Sequence, residues 1–103
     1  MPNMINAGDY SATLHYLKSV SEAGTDDADA VMAKMRELPV DDVFATGGRI
    51  RADGLHVHDF YLMEVKRASE SKYQWDDFKI RETIPGEKAY LPLSASACPL
   101  VKL

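Results

Sequence analysis

The sequence is poor in the features that most readily announce a function. It carries one cysteine, Cys98, in 103 residues, so an internal disulfide framework and a cysteine-rich zinc site are both excluded. It has no surplus of positive charge: 12 Lys and Arg against 16 Asp and Glu leave a formal charge of −4. Without a basic field there is nothing to gather phosphates, which excludes general binding to nucleic acid or an acidic membrane surface. No basic residue precedes Lys18 and no long apolar run follows the first methionine, the two parts a secretory leader needs. The longest uncharged stretch near the C-terminus, residues 91–101, holds two prolines and is far short of the roughly 20 residues that span a bilayer. As it stands, lacking a signal peptide, such a chain is expected in the cytoplasm.

Catalytic signatures are also missing. Gly47-Gly48 lacks the Lys and Ser/Thr spacing of a phosphate loop. Ser11, Ser19 and Ser21 lie in a helical segment rather than on a strand–turn–helix elbow. Cys98 sits before Pro99 with no nucleophile signature around it. No internal repeat and no low-complexity run interrupts the chain. These absences leave no catalytic constellation, no metal set and no cofactor motif to name, and an enzyme is not expected.

What is present is an ordinary globular composition, 46% hydrophobic and 27% charged, enough to exclude wholesale disorder. The length suits one domain. A chain this small buries only roughly 60–65% of its extended surface, so its stability margin is thin.

Periodicity predicts a helix over 9–23, with Tyr10, Leu14, Leu17 and Val20 or Ser21 as its apolar stripe. Asp9 is expected as its N-cap or first-turn acid, and Gly24 as its left-handed stop. A second helix follows, capped by Thr25, Asp26 and Asp27, buried through Ala28, Val31, Met32, Met35 and Leu38, and ended by Pro39. So short a link predicts a helical hairpin. Six acids and two bases between Asp26 and Asp42 read as a solvated face with acids at a helix N-terminus.

After Pro39 the pattern turns to strands. Residues 49–51 and the Ala52-Asp53-Gly54 turn predict a short hairpin. Residues 55–66 read as one long strand, apolar on both faces and therefore central or covered twice. Its other partner is residues 75–84, where Phe78, Ile80 and Ile84 alternate with Lys79 and Arg81. The polar link 67–72 is expected to be a mobile loop, and 87–91 a helical turn. The fold class is α+β: an N-terminal helical hairpin, then a small, mainly antiparallel sheet. A single partial domain is expected, with a helix pair over about 9–38, a β-rich part over about 40–84 and an irregular tail over 85–103.

One cluster has metal-ligand character. In His56-Val57-His58-Asp59 the histidines are two apart, so on a strand both face the same way. Only distant candidates such as His15 offer a third ligand, and two solvent-facing histidines after a turn are the plainer reading. Tyr61, Tyr73, Trp75 and Phe78 are the aromatic set that could line a ligand pocket, against the plainer reading, from their strand spacing, of core aromatics.

Six segments carry a resemblance: Tyr10-Ser-Ala-Thr-Leu-His-Tyr-Leu-Lys18, Thr25-Asp-Asp-Ala-Asp-Ala-Val-Met-Ala-Lys-Met-Arg36, Gly47-Gly-Arg-Ile-Arg-Ala-Asp-Gly54, Asp59-Phe-Tyr-Leu-Met-Glu-Val-Lys66, Glu70-Ser-Lys-Tyr-Gln-Trp-Asp-Asp-Phe-Lys79 and Cys98-Pro-Leu-Val-Lys102. In that order and spacing the sequence resembles the C-terminal quarter of the extracellular solute-binding proteins of branched-chain amino-acid-type ABC transporters, the type I periplasmic-binding fold. The resemblance implies a non-enzymatic protein whose intact relatives are periplasmic. Those relatives close two lobes on a small solute, such as an amino acid, amide or aromatic acid, and present it to a membrane permease. It also implies that the main ligand loops lie outside this chain. Tyr10 is the one ligand-binding candidate it points to, against the plainer reading of a packing tyrosine. Faces that pack on other parts of such a protein would be exposed here, so a homo-oligomer formed by strand pairing or helix exchange is expected. A stand-alone homo-oligomeric module that binds a small molecule is the alternative. An upstream partner for Cys98 in a parent protein would make an intermolecular disulfide available here.

Overall fold

The computed structural model describes residues 3–99 and 101. It opens with α1 (Met4–Ala23) and α2 (Ala28–Glu37), which pack against each other as the expected hairpin. The caps explain both ends. Gly24 takes φ 67° and returns its N–H to the Val20 carbonyl, a conformation that costs a residue with a Cβ about 1–2 kcal/mol. Asp27 caps α2 by accepting the Ala30 N–H at 3.0 Å, and Lys34 and Arg36 in the last turn complement the helix dipole.

Helix α1 starts five residues earlier than the periodicity predicts. Asn3, not Asp9, is the N-cap: its side chain accepts the N–H groups of Ile5 and Asn6, and Asn6 accepts the Asn3 N–H in return. The buried face of α1 also differs from the expected stripe. Ser11, His15 and Ser19 are the buried residues, while Tyr10 and Leu17 are more than half exposed. These three recur every four residues; His15 bonds to the Met35 carbonyl of α2 and Ser11 to Asp42 just beyond it. On α2 only Val31 is fully buried, with Met35 and Leu38 half-buried and Ala28 and Met32 exposed.

From Val40 the chain folds into two separate antiparallel pairs. Val40 and Gly48 exchange backbone hydrogen bonds of 2.7 and 3.0 Å and close a loop. Strand β1 (Arg49–Ile50) pairs with β2 (His56–Val57) through the turn at Gly54, and α2 rests on β1. The expected long strand 55–66 is broken after Val57. His58 and Asp59 leave the ladder, and Asp59 Oδ1 accepts the Gly86 N–H at 2.9 Å. The chain then resumes as β3 (Phe60–Val65), which pairs with β4 (Phe78–Ile84). Strand β3 is not central: it forms a two-stranded ribbon with β4, and all six of its residues are exposed.

The link between β3 and β4, expected as a polar loop, carries local structure and contacts of its own. Residues Ala68–Glu70 form a 3₁₀ turn, Glu70 accepts the Arg67 N–H and a bond from Lys79, each at 2.8 Å, and Lys66 pairs with Asp76 at 2.5 Å. A bulge at Arg81 shifts the register between Leu62 and Met63. It therefore moves Ile84 to the face opposite Phe78 and Ile80, which simple alternation had grouped together. A one-turn helix α3 (Gly86–Ala89) follows, and Leu93–Ala95 form a 3₁₀ turn in the tail.

The fully buried apolar core among the described residues is small: Val31, Val40, Ala45 and Val57. The radius of gyration is 16.7 Å, against about 13 Å for a compact domain of this length. The accessible surface is 7727 Å², where a compact monomer of this mass exposes about 5,800 Å². The chain thus exposes about a third more surface than a self-contained domain.

Candidate functional site

Side chains from separate stretches of the sequence converge where the helical hairpin meets the β-rich part. His58 is the hub. Its ring lies 4.8 Å from Phe44, 5.0 Å from His56, 5.1 Å from Phe60 in a stacked arrangement and 5.8 Å from Tyr90, centroid to centroid. Phe60 and Tyr90 complete the cluster at 5.3 Å. The His58 Nδ1 faces the Asp59 carbonyl at 2.9 Å; a carbonyl only accepts, so Nδ1 carries the proton. Both histidines are half-buried, rather than solvent-facing as the sequence suggested.

Asp42 anchors the neighbouring loop. One carboxylate oxygen accepts the Ser11 hydroxyl at 2.7 Å; the other accepts the Phe44 and Ala45 N–H groups at 2.7 and 3.0 Å. Burial pushes the Asp42 carboxyl up, but the bonds from Ser11, Ala45 and Phe44 and the nearby His56 outweigh it and hold it below the usual range. His56 is depressed as a base: burial first, then His58 and His15, lower it, with Asp42 opposing. Its Nε2 is buried without a hydrogen-bond partner, so neutral imidazole is the favoured form.

Two concavities flank this junction. One, of about 230 Å³, is lined by Ser11, Ala12, His15, Met32, Met35, Val40, Ile50, Gly54 and His56. It is mostly apolar, and His15 is fixed at its edge by donating Nε2–H to the Met35 carbonyl at 2.9 Å. The other, of about 260 Å³, is lined by Arg49, Arg51, Val57, Gly86, Glu87, Tyr90, Pro92 and Leu93. Its arginines are already paired: Arg49 with Glu87, and Arg51 through two nitrogens with Asp53 and through a third with the Leu91 carbonyl. The Arg51 guanidinium holds the Asp53 carboxyl down at about 2. An anion entering there would have to displace these pairs.

The structure therefore joins His56 and His58, and sets His15 beside His56 across the first concavity. Among the described residues no group of three His, Cys, Asp or Glu is placed to hold a metal ion. Tyr10 lines neither concavity; it lies in the second turn of α1, half exposed. Cys98 is a half-buried free thiol. Sequence reasoning missed Phe44, Tyr90 and the Ser11–Asp42 bond. The alternation of His56, His58 and Phe60 was visible, but Phe44 and Tyr90 come from distant parts of the chain.

No described helix is long and apolar enough to cross a membrane. A sequence model of the family described as periplasmic binding protein matches residues 1–72. A periplasmic binding protein of Burkholderia mallei, known from its crystal structure, is 48% identical and superposes with a TM-score of 0.88. The alignment covers 99% of this chain and 27% of that one. A periplasmic ligand-binding protein of a branched-chain amino acid ABC transporter from Burkholderia xenovorans LB400 is 38% identical, with a TM-score of 0.89. There the alignment covers 97% of this chain and 27% of the relative. No curated protein matches the sequence at a significant level. The chain spans about a quarter of these solved relatives, which accounts for its small core and surplus surface. The agreement of sequence and backbone over nearly its whole length shows that the chain belongs to the periplasmic-binding-protein family.

Proposed function

We propose that this chain forms the C-terminal quarter of a solute-binding protein serving an ABC uptake system, with a branched-chain amino acid, an amide or an aromatic acid as the solute. The observation that carries the reading is the 48% identity over 99% of the chain to a periplasmic binding protein of nearly superposable backbone. The 38% identity to a branched-chain amino acid transporter's ligand-binding protein points to the solute class. In such a protein, two lobes close about a hinge on the solute and the closed form meets the permease. The role is to bind and release, with no covalent chemistry, and it is exercised in the periplasm. Tyr10 is the proposed contact to the solute from this chain. Its residue is about half exposed on α1, off the buried Ser11–His15–Ser19 face.

The test supplies the missing part. The chain is mixed with the complementary three quarters of the Burkholderia mallei relative, and unfolding is followed with and without L-leucine, amides and aromatic acids. The expected result is a one-to-one complex whose midpoint rises with one solute class, as binding to the native state requires. Tyr10→Ala should reduce that rise. Failure to form the complex, or a complex indifferent to all the solutes, overturns the reading. The surplus surface supports a second reading, a homo-oligomeric module with a pocket between copies. It would be distinguished by a solute that stabilises the chain alone.

A further inference from the structure

We propose that residues 40–48 form a proton-operated latch over His56: uptake of a proton by its imidazole lifts this loop from β2 while both long helices and the β3–β4 ribbon stay folded. His56 pairs with Ile50 across the β1–β2 ladder. Both line the concavity beside α1 and α2, while Arg49, Arg51 and Val57 line the other one. The His56 Nε2 is buried without a hydrogen-bond partner. It lies over Gly48, so closely that a Cβ on that glycine would be 2.6 Å from it. Gly48 in turn is held to Val40 by the two backbone bonds that close the loop. A neutral ring leaves one nitrogen bare at modest cost. An imidazolium carries an N–H on both nitrogens, and a charged donor buried without an acceptor costs far more. The proton therefore needs the seat over Gly48 to open.

The described residues around the ring do not supply that acceptor. His15 comes from α1 and His58 from the ring's own segment, its centroid 5.0 Å away; both oppose a positive charge on His56. From α2 and β1 come Met32, Met35 and Ile50, which do not titrate. Asp42 favours the charge, yet its two oxygens are committed to the Ser11 hydroxyl and to the Phe44 and Ala45 N–H groups. Those bonds hold Asp42 below the usual carboxylate range, so it keeps its charge while His56 titrates. Burial first of all pushes the His56 imidazole down from its ordinary 6.5, and lifting the loop removes that cause. The loop is built to move as a unit. Asp42 binds it to itself through Phe44 and Ala45, as Asp41 does through Gly47. It is fastened to α1 by the Ser11–Asp42 bond and a 3.3 Å bond from Lys18 to the Asp41 carbonyl. Phe44 against His58 fastens it to the β-rich part. This inference stands on the loop and β2 and is independent of solute binding.

Amide hydrogen exchange of the whole chain tests it, followed by NMR between pH 7 and 5.5 with the intrinsic rates divided out. With the opened loop taking up the proton at about 6.5, its opening constant rises by up to about eightfold over that range. The Val40, Phe44, Ala45 and Gly48 amides should show this rise. Adding about 1 M urea should barely change them, because a local opening exposes little surface. Amides inside α1 should exchange more slowly and respond strongly to urea. In His56→Gln the loop amides should lose their acid response, and in His15→Gln they should keep it. In the native chain, where no variant can misfold, the His56 ring protons and the loop amide shifts should titrate together at one midpoint below 6.5. Loop amides without an acid response, loop amides as urea-sensitive as those of α1, an acid response that survives His56→Gln, or separate midpoints for ring and loop would each overturn the proposal.

Discussion

Adding one methyl group to Gly86 should unsettle the junction between the ribbon and the tail more than its chemistry suggests. Gly86 is buried at the start of α3, where its N–H bonds to Asp59. A Cβ there would lie 2.7 Å from the His58 carbonyl oxygen, 2.9 Å from the His58 carbonyl carbon and 2.9 Å from Val57 Cγ1. The first two are backbone atoms and cannot rotate away. Relief requires α3 to back off from the His58–Asp59 break, which stretches the Asp59 bond and loosens Phe60 and Tyr90 around His58. Overpacking of this kind costs about 1–3 kcal/mol. Alanine recovers up to about 1 kcal/mol of backbone entropy relative to glycine. The net expectation for Gly86→Ala is a loss of about 1–2 kcal/mol, which lowers the midpoint by roughly 5–15 °C in a chain of this size.

Gly8→Ala is the matched control. It lies inside α1 with nothing within 4 Å of the point a methyl carbon would occupy, so it should gain about 0.5–1 kcal/mol from helix propensity alone. Both variants are compared with the native chain by thermal unfolding, followed by circular dichroism at matched concentration. Opposite signs are expected. A Gly86→Ala chain as stable as the native one would show that α3 is not seated on the His58 carbonyl, and the account of the broken strand would fall with it.

Two further outcomes follow from the buried polar groups. Ser11→Ala removes a 2.7 Å bond to a carboxylate from a residue only 1% exposed. It should cost about 1.5–3 kcal/mol and raise the Asp42 carboxyl, which proton NMR titration of Asp42 would show. His56 is depressed in the folded chain, chiefly by burial. Below its ordinary value of 6.5 the unfolded state binds the proton more readily, so stability falls as pH drops through that value and levels off below the folded one. Urea midpoints measured from about pH 7.5 to 5 should decline, and His56→Gln should flatten that decline; an equal slope in the variant refutes the assignment.

The helical hairpin was legible because its signals are local. Gly24, Asp27 and Pro39 act within a turn of where they stand, and the structure uses the first two as the sequence implied. The early start of α1 was hidden because Asn6 takes the place usually given to Glu or Gln at the third position of a capping box. The strand errors have a different origin. Nothing near Asp59 in sequence reveals that its carboxylate is committed to Gly86, 27 residues later. Likewise, a bulge at Arg81 is a property of the pairing of β3 with β4, and alternation along one strand cannot show it. The aromatic cluster was half visible for the same reason: His56, His58 and Phe60 are neighbours on one segment, whereas Phe44 and Tyr90 arrive through tertiary folding.

The misread face of α1 follows a single physical rule. Tyr10, Leu14 and Leu17 do form a stripe at helical spacing, and such a stripe costs solubility unless something covers it. In this chain the Ser11–His15–Ser19 face is the buried one, with His15 against Met35 of α2 and Ser11 against Asp42 beyond it, so the stripe was correct as a pattern but is not the face this chain covers. The same holds for the ribbon, whose two apolar faces suggested a central strand although both are exposed. Hydrophobic periodicity records that a surface is meant to be buried, not which element buries it. When a chain spans about 27% of its relatives, that distinction separates its own core, built on Val31, Val40, Ala45 and Val57, from the surfaces it offers to whatever completes it.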